Sequence, residues 1–387
     1  MFVYRREDLP SEPEFPADLR KLGYFINDKD QIRKISDSKQ EFQYKISKNE
    51  RVNEVQREAM NECIRKIVTS RLCELNFATL HLPLAAKLTE PHVPIMVSSN
   101  LSTATRIIVV FGEPIQDLGI WAYRSVGKDG VNAGSAVSFA KAVLHPKSKQ
   151  EGTNGNSDKK EGNTALILAN TGQLLWHCGA RRPMTLASWI AYPRPSAVDP
   201  QLMMTRRNII PNNGNWFEHI ASVFQEILAD RGRLVREDAT IDIVGVADGG
   251  QGVIRYLADH WEAWRPYISA IALTNPLHSI DVELAVTDET SASFLAFVSS
   301  RCRAYVISDE PQGFLVPGAR RHGCNCYSSG ERQHIECIMP RAWEHILEWL
   351  NLAHANQTMY EAQLEMKEVT GSDSDYSEAL YSDGSQE

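Results

Sequence analysis

The sequence lacks any run of about 20 apolar residues, which is the length that a membrane-spanning helix requires. Its N-terminus, MFVYRREDLPSEPEF, lacks the charged and then apolar order of a secretory signal peptide. Only seven cysteines occur in 387 residues, without the spacing of a small disulfide framework. We therefore expect reduced thiols, no membrane segment and a location in the nucleus and cytoplasm.

The sequence also lacks a broad positive charge. Its formal net charge is -8, and residues 361–387 contain eight acidic residues and one lysine, so the tail holds about seven of the excess negative charges. The remaining body is nearly neutral, which gives no electrostatic basis for binding nucleic acid over a wide surface. The serines within the acidic tail are candidate phosphorylation sites.

Apolar content is ample: 43% of the residues are hydrophobic, which suffices for one large domain. Short apolar runs alternate with segments of helical period, and this predicts an α/β fold with a mostly parallel sheet and helices on both faces. We predict a single domain over residues 18–355 that begins with a small β-hairpin unit and contains a disordered insertion at 146–163. A flexible N-terminus (1–17) would precede it, and a disordered acidic tail (356–387) would follow.

The strands and helices can be placed along the chain from their periodicity. The predicted strands are GYFIND, QIRKI and EFQYKI of the hairpin unit, then FATLHL, PIMVSS, RIIVVFG, ALILAN, IDIVGV, SAIALTN and AYVIS, and the predicted helices are 51–72, 135–144, 216–228, 248–258 and 342–352.

The stretch IDIVGVADGGQGVIRYL indicates a buried strand, a glycine-rich turn and a helix. A nucleophile elbow has this form and needs small residues around the nucleophile, because strand and helix approach closely there. Gly245, Gly249 and Gly250 meet that need, and this register places Ala247 at the nucleophile position, where a methyl group cannot attack. A register shifted by one would place Asp248 there, at the cost of a bulkier valine. We favour the alanine register, which predicts strained backbone angles at Ala247, with φ about +60°.

Other parts of a hydrolase layout occur in the expected chain order of nucleophile, acid and histidine. Asp309 and Glu310 follow the strand AYVIS, where a triad acid would lie, and His334 precedes the last helix. Gly112 and Glu113 follow an upstream strand, where an oxyanion-hole loop would form. The layout predicts a degenerate hydrolase site, although these polar residues could also be ordinary loop residues.

Two other chemistries remain open at this point. An active esterase or acyl-transfer enzyme could use Asp248 and His334. The motif HGCNC (322–326), with His334 and Cys337 nearby, could hold zinc, but Cys-x-Cys is unusual spacing for a structural site. We expect no metal and no cofactor.

Several features could contact a partner. Paired arginines could meet RNA phosphates or an acidic protein, and tryptophans could stack on single-stranded bases, although solvated surface and buried core are their commoner roles. They are Arg181–Arg182, Arg206–Arg207, Arg320–Arg321, Trp176, Trp189 and Trp216. The segment 193–215 precedes the elbow strand, and we favour a partner surface over a catalytic lid for it.

The motifs NWFEHIASVF, IDIVGVADGGQGVI, ALTNPLHS and SGERQHIE resemble the Argonaute-binding protein 2-like domain family, named after the second Argonaute-binding subunit of the fungal small-RNA chaperone complex. The domain also occurs in animal nuclear cotranscriptional regulators and at the C-terminus of some class II histone deacetylases. The resemblance implies an α/β-hydrolase-like fold. Animal members carry serine in a His-Ser-x-Gly-Gly motif, and matching that motif places Ala247 at the serine.

The same resemblance implies site residues and a role. His278, His334 and the pair Glu218–His219 match residues of the family and, with Asp248, could line a polar pocket. The implied role is a noncatalytic protein-binding subunit in siRNA-directed heterochromatin formation. Its partners would be protein subunits of an Argonaute complex, with siRNA contacted indirectly. A regulatory subunit of a histone deacetylase assembly is the alternative that the family suggests.

Overall fold

The computed structural model describes residues 11–146, 163–196, 199–317, 319–356 and 361. Its strands are β1 (Tyr24–Ile26), β2 (Ile32–Lys34), β3 (Phe77–Leu82), β4 (Val93–Ser98), β5 (Arg106–Phe111), β6 (Thr164–Leu168), β7 (Leu175–His177), β8 (Arg182–Met184), β9 (Thr240–Val246), β10 (Ile268–Thr274), β11 (Cys302–Val306), β12 (Leu315–Val316) and β13 (Asn325–Ser328). Its α-helices are α1 (Glu50–Glu74), α2 (Tyr123–Lys128), α3 (Ala136–Leu144), α4 (Leu186–Ala191), α5 (Trp216–Ser222), α6 (Asp248–Trp264), α7 (Glu289–Arg301) and α8 (Ile338–Ala355). Within these ranges, none of the helices is sufficiently long and apolar to span a bilayer.

Nine strands form the central sheet in the order β12-β13-β11-β10-β9-β5-β6-β4-β3. The pairings from β6 through β5, β9, β10 and β11 to β13 are parallel, and antiparallel pairings join β4 and β3 at one edge and β12 at the other. Parallel neighbours require crossover connections. Helices supply them for β5–β6, β9–β10 and β10–β11, and β12 with a short 3-10 turn joins β11 to β13. The predicted α/β fold with a mostly parallel sheet is confirmed, and β1 and β2 form the predicted N-terminal hairpin.

The core lies on both faces of the sheet because successive side chains of a strand point in opposite directions. All six residues of β5 are buried. Ile107 and Val109 belong to the cluster that α5, α6 and α7 cover, whereas Ile108 and Val110 belong to the cluster that α1, α3 and α8 cover. A strand buried on both faces reads as a continuous apolar run, as RIIVVF does.

Helix α1 shows how local sequence sets an element that later forms part of a cleft. The Asn49 side chain accepts a hydrogen bond from the Arg51 N–H at 3.0 Å and caps the helix. Buried residues at Ile64, Val68 and Leu72 recur every four positions, so one face packs on the sheet. The opposite face is free to present polar side chains.

Three sequence expectations differ from the structure. The segment EFQYKI does not form a third hairpin strand: the N–H groups of Ile46 and Ser47 donate to the Asn53 side chain, each at 3.0 Å, rather than to a neighbouring strand. The helix predicted to end near residue 258 resumes after a kink at His260, where φ is -128°, and runs to Trp264, with Trp261 and Trp264 buried beyond the kink. The last helix begins at Ile338, four residues earlier than the predicted start.

Both predicted terminal segments contain an anchored glutamate. Glu12 is buried, pairs with Arg51 and accepts the Arg194 N–H at 2.7 Å. Glu361 is buried, pairs with Arg303 and accepts the Tyr327 hydroxyl at 2.9 Å. Ordered contacts therefore extend beyond both predicted domain limits. Most of the predicted insertion (147–162) and the rest of the acidic tail (362–387) lie outside the described residues.

Candidate functional site

The turn between β9 and α6 has the geometry of an elbow. Strand β9 ends at Val246 and α6 begins at Asp248, so Ala247 forms the tip. Its backbone angles, φ 48° and ψ -119°, lie in a region that residues with a side chain rarely adopt. The Ala247 N–H donates to the Thr274 carbonyl at 2.9 Å, and its carbonyl accepts from Gln251 at 3.0 Å. The positive φ is the one that the alanine register predicts.

Close backbone contacts explain the glycines around this tip. A Cβ on Gly245 would lie 2.4 Å from the Cα of Gly250, and a Cβ on Gly249 would lie 2.4 Å from the carbonyl oxygen of Gly112. Neither contact is sterically possible for another residue without movement of the backbone. The glycines thus bring strand, helix and the loop after β5 together, whether or not the turn carries out chemistry.

The tip presents no nucleophilic atom, since Ala247 ends in a methyl group and is buried. Asp248 is half-buried in the first turn of α6, one residue past the strained position. Burial raises the pKa of the Glu113 carboxyl, a hydrogen bond with Gln116 opposes this, and the negative charge of Asp248 raises it further. The Glu113 and Asp248 carboxylates therefore interact electrostatically.

His334 stands just before the short 3-10 turn that leads into α8. The backbone N–H of His334 donates to the Glu331 carboxylate at 3.3 Å. The carboxylates that interact electrostatically with its imidazole are Glu331 and Glu336. Within the described ranges, no hydrogen bond or ion pair joins the imidazole to a carboxylate, so no residue orients it as the acid of a triad would.

The two candidate acids point into solvent. The Asp309 side chain is 95% exposed, and Arg332 approaches it at 3.8 Å. Glu310 is also exposed, and it contacts β13 through its backbone carbonyl oxygen, which accepts the Ser328 hydroxyl at 2.7 Å. The chain order of a triad is thus present, but the structure does not connect these carboxylates to His334.

His219 is a fully buried group that links three segments. Its Nε2 accepts the Asn170 N–H at 3.0 Å, so its Nδ1 carries the proton and donates to the Asn213 side chain at 2.7 Å. Burial lowers the pKa of His219 to about 3, so the imidazole is neutral. Its neighbour Glu218 accepts the Gly214 N–H at 2.9 Å at the start of α5. The pair fixes the loops that lead into α5.

His278 is fully buried on the loop after β10. Its Nε2 donates to the His322 carbonyl at 2.8 Å, and the Nδ1 of His322 donates to the His278 carbonyl at 2.8 Å. Burial lowers the pKa of His278 to about 4. Cys324 and Cys326 are buried in the adjacent core. Across the described part of the chain, no three His, Cys, Asp or Glu side chains are grouped to hold a metal ion.

The candidate residues for contact with a partner differ in their exposure to solvent. Trp176 and Trp189 are buried, so neither can stack on a base. Trp216 is half-buried and packs over Gly252. Within segment 193–215, in contrast, the side chains at 202–204 are exposed, with Met203 at 80%. That segment keeps the properties of a contact surface.

The structure also forms a cleft that the sequence analysis did not identify. Its volume is about 660 Å³, and it lies between residues 41–44, α1, α2, the loop after β5 and His334. Ligands of α/β sheets commonly bind beyond the carboxyl ends of the strands, where the loop after β5 lies. The one available signal was the spacing of Arg57, Asn61 and Arg65, which places three polar side chains along one face of α1.

A buried polar network forms one wall of this cleft. Asp117 accepts hydrogen bonds from the Tyr123 hydroxyl at 2.5 Å, from Arg65 at 3.1 Å and from Gln173 at 2.8 Å. Burial and the charge of Asp117 raise the pKa of Tyr123 well above its usual value. Each of these groups has a partner, so the network fixes the loop after β5 against α1 and α2.

Known proteins resemble this chain at several levels. The sequence profile of the Arb2 domain matches residues 15–312. The cotranscriptional regulator ARB2A homolog of Xenopus tropicalis is 29% identical over 346 residues, which cover 83% of this chain and 76% of that protein.

Among solved structures, a histone deacetylase from Saccharomyces cerevisiae aligns with a TM-score of 0.41 and 14% identity, over 76% of this chain and 96% of the other. An IroE-like serine hydrolase from Shewanella oneidensis aligns with a TM-score of 0.33 and 10% identity, over 72% of this chain and 80% of the hydrolase chain. The profile match covers well over half of the sequence and agrees with the resemblance found in its motifs. The chain belongs to the Arb2 domain family.

Proposed function

We propose that this chain is a noncatalytic protein-binding subunit that acts in siRNA-directed heterochromatin formation through an Argonaute-containing complex, in the nucleus and cytoplasm. The observation that carries the proposal is the methyl group of Ala247 at the strained tip of the elbow. A hydrolase of this layout needs a nucleophilic atom at the tip and a base that a third group orients. Ala247 supplies no such atom, and no carboxylate among the described residues forms a hydrogen bond or an ion pair with the His334 imidazole, although Glu331 and Glu336 lie within electrostatic reach of it.

The binding part of the proposal has support on the surface. Leu202, Met203 and Met204 are exposed in succession, and Arg206 and Arg207 follow them. Adjacent exposed apolar side chains commonly mark a protein interface, and the arginines favour an acidic partner. The nearly neutral body supports siRNA being contacted through the partner.

Affinity purification of the tagged full-length chain tests the binding part. We expect Argonaute and small RNA to be recovered, and Argonaute to remain bound after nuclease treatment. The variant Leu202→Ser/Met203→Ser should recover neither Argonaute nor small RNA. Leu88→Ser, at an exposed leucine elsewhere, should recover both. Recovery of deacetylase subunits without Argonaute would contradict the proposal and favour a role in a histone deacetylase assembly.

Hydrolysis of p-nitrophenyl acetate tests the noncatalytic part. We expect no turnover by the native protein. We also expect none from Ala247→Ser, since a restored hydroxyl would still lack an oriented base. Turnover by the native protein that Asp248→Ala abolishes would instead establish the rival enzyme based on Asp248 and His334.

A further inference from the structure

The cleft beside α1 has the size of a small-molecule site and is separate from the elbow. Its volume of about 660 Å³ falls within the range of roughly 300–1,000 Å³ that ligand pockets occupy. Its walls come from the N-terminal segment, α1, α2 and the loop after β5, and they include neither Ala247 nor Asp248. A function for it therefore does not depend on hydrolytic chemistry at the elbow.

Part of the wall is apolar. Phe42, Met60, Ile64 and Ile115 line the cleft, and the Ile115 side chain is 68% exposed. An apolar group bound here would remove this surface from water, which contributes a favourable free energy of about 25 cal/mol per Å² of apolar area buried.

Two cations on the wall have no ion-pair partner among the described residues. The Arg57 guanidinium lies 4.8 Å from the centre of the Tyr44 ring. It forms no ion pair with a described residue, although it interacts electrostatically with Glu50, which accepts the Tyr44 hydroxyl. Lys128, at the end of α2, is exposed, and its ammonium forms no ion pair in the part of the chain that the structure covers. Arg124 and His334 line the same cleft, although Arg124 already pairs with Glu336 at 2.9 Å.

The acidic groups of the wall do not fully offset the positive charges, because three cations line the cleft, Arg57, Arg124 and Lys128, against two carboxylates, Glu41 and Asp117. Asp117 shares Arg65 with two carboxylates outside the lining, Glu58 and Glu62, and Glu41 pairs with Arg33 at 3.8 Å. The charge left for a ligand is positive. An anion is the ligand that such a site stabilises.

Polar atoms without partners also border the cleft. The Oε1 atom of Gln116 is buried and accepts no hydrogen bond from any described residue. The Asn61 side chain, half-buried on α1, likewise makes no hydrogen bond within the described ranges. The amide N–H groups of Asn61 can donate to an anion, whereas the Gln116 Oε1 atom only accepts hydrogen bonds and cannot bind one.

We propose that this cleft binds a small organic anion, a carboxylate or a phosphate carried on an apolar body. Arg57 and Lys128 contact the anionic group, and Phe42, Met60 and Ile115 contact the apolar body. The Asn61 amide donates to the anionic group and fixes the orientation of the ligand. The chain would then combine a protein-contact surface with a separate small-molecule site.

A pair of fluorescent dyes tests the charge requirement. 8-Anilinonaphthalene-1-sulfonate carries an anionic group on an aromatic body, and N-phenyl-1-naphthylamine is its analogue without the sulfonate. We expect the full-length chain to bind one sulfonate dye per molecule, at least about tenfold more tightly than the neutral dye. Arg57→Leu and Lys128→Met should each lower the affinity for the sulfonate dye about fivefold or more and leave the affinity for the neutral dye unchanged. Lys141→Met, at an exposed lysine on α3, is the matched control and should change neither.

A blocking variant and competitors test the location and the ligand class. Asn61→Trp should fill the cleft and abolish binding while circular dichroism and the melting temperature stay close to those of the native protein, because no described hydrogen bond depends on the Asn61 amide. Decanoate or decyl phosphate should displace the dye, and their relative potency distinguishes a carboxylate from a phosphate ligand. The proposal fails if both dyes bind equally, if decanol competes as well as the anions, or if folded Asn61→Trp binds normally.

Discussion

Gly249 lies so close to Gly112 that a Cβ on Gly249 would stand 2.4 Å from the Gly112 carbonyl oxygen. This contact joins the start of α6 to the loop after β5, and it brings together the two segments that form an elbow and an oxyanion loop in a hydrolase. The chain keeps this packing although the tip residue is alanine. The glycines are therefore explained by steric contact alone.

The contact predicts a large stability difference between two glycine substitutions. Gly249→Ala should lower the free energy of unfolding by about 2–3 kcal/mol, because the added methyl forces backbone movement in a packed region. Gly127→Ala is the control: no atom lies within 4 Å of its Cβ position, and alanine favours the helix. Urea unfolding measures both, and equal losses would contradict the steric explanation.

The strained tip predicts an unusual response to glycine. Ala247→Gly should leave the free energy of unfolding unchanged or raise it by about 1 kcal/mol, since relief of about 1–3 kcal/mol of backbone strain offsets the entropy of glycine and the lost methyl. Ala140→Gly, at a buried alanine with regular helical geometry in α3, should instead lower the free energy of unfolding by about 2 kcal/mol. A loss of the same size at both positions would show that Ala247 is not strained.

The buried neutral histidines predict acid sensitivity. The pKa of His219 is about 3 in the folded protein, below the unfolded value of about 6.5, so the stability that its neutral form contributes is complete above pH 6.5 and is lost as the pH falls toward 3. His219→Gln can keep one donor and one acceptor but does not titrate. When the pH falls from about 6.5 to 5, the free energy of unfolding of the variant should therefore decrease by about 2 kcal/mol less than that of the native protein.

Urea unfolding at these two pH values measures that difference. His145→Gln, at an exposed histidine, provides the control and should retain the full pH dependence of the native protein. An unchanged pH dependence in His219→Gln would mean that His219 is protonated in the folded state.

The buried ion pair at the other end of the sheet predicts a cost for removing one partner. Arg106 of β5 donates to Asp242 of β9 at 2.6 Å and to Asn351 of α8 at 2.6 Å. Asp242→Ala should destabilise the fold by about 3–5 kcal/mol, because it leaves a buried guanidinium without its carboxylate. The double variant Arg106→Met/Asp242→Ala should regain part of that loss. Asp238→Ala, in the exposed pair with Arg236, should change little in urea unfolding.

Local sequence sufficed where the signal is short-ranged. The continuous apolar run of β5 and the four-residue repeat of α1 predicted their elements, because burial on two faces or on one stripe sets those periods directly. The glycines around Ala247 predicted the elbow and its positive φ for the same reason: strand, turn and helix are consecutive. Helix α7 was missed because its apolar residues form only a narrow buried stripe at Phe294 and Val298.

The candidate site was predicted less completely, since its contacts join distant segments. Chain order alone suggested that Asp309 and Glu310 accompany His334, but those carboxylates are exposed to solvent. The histidines at 219 and 278 matched the family motifs, yet their roles depend on partners such as Asn170 and His322, which sequence spacing does not identify. A histidine in a pocket and one satisfied in the core have the same local sequence.

The sequence by itself determined the α/β fold, the family and the alanine at the tip of the elbow, because each follows from neighbouring residues or from an ordered set of motifs. Only the tertiary structure decided that His219 and His278 are buried and neutral and that no described carboxylate is hydrogen-bonded to the His334 imidazole. It also placed residues 41–44, α1 and α2 around one cleft. The physical reason is that burial and charge pairing depend on which distant segments meet, and chain folding alone sets those distances.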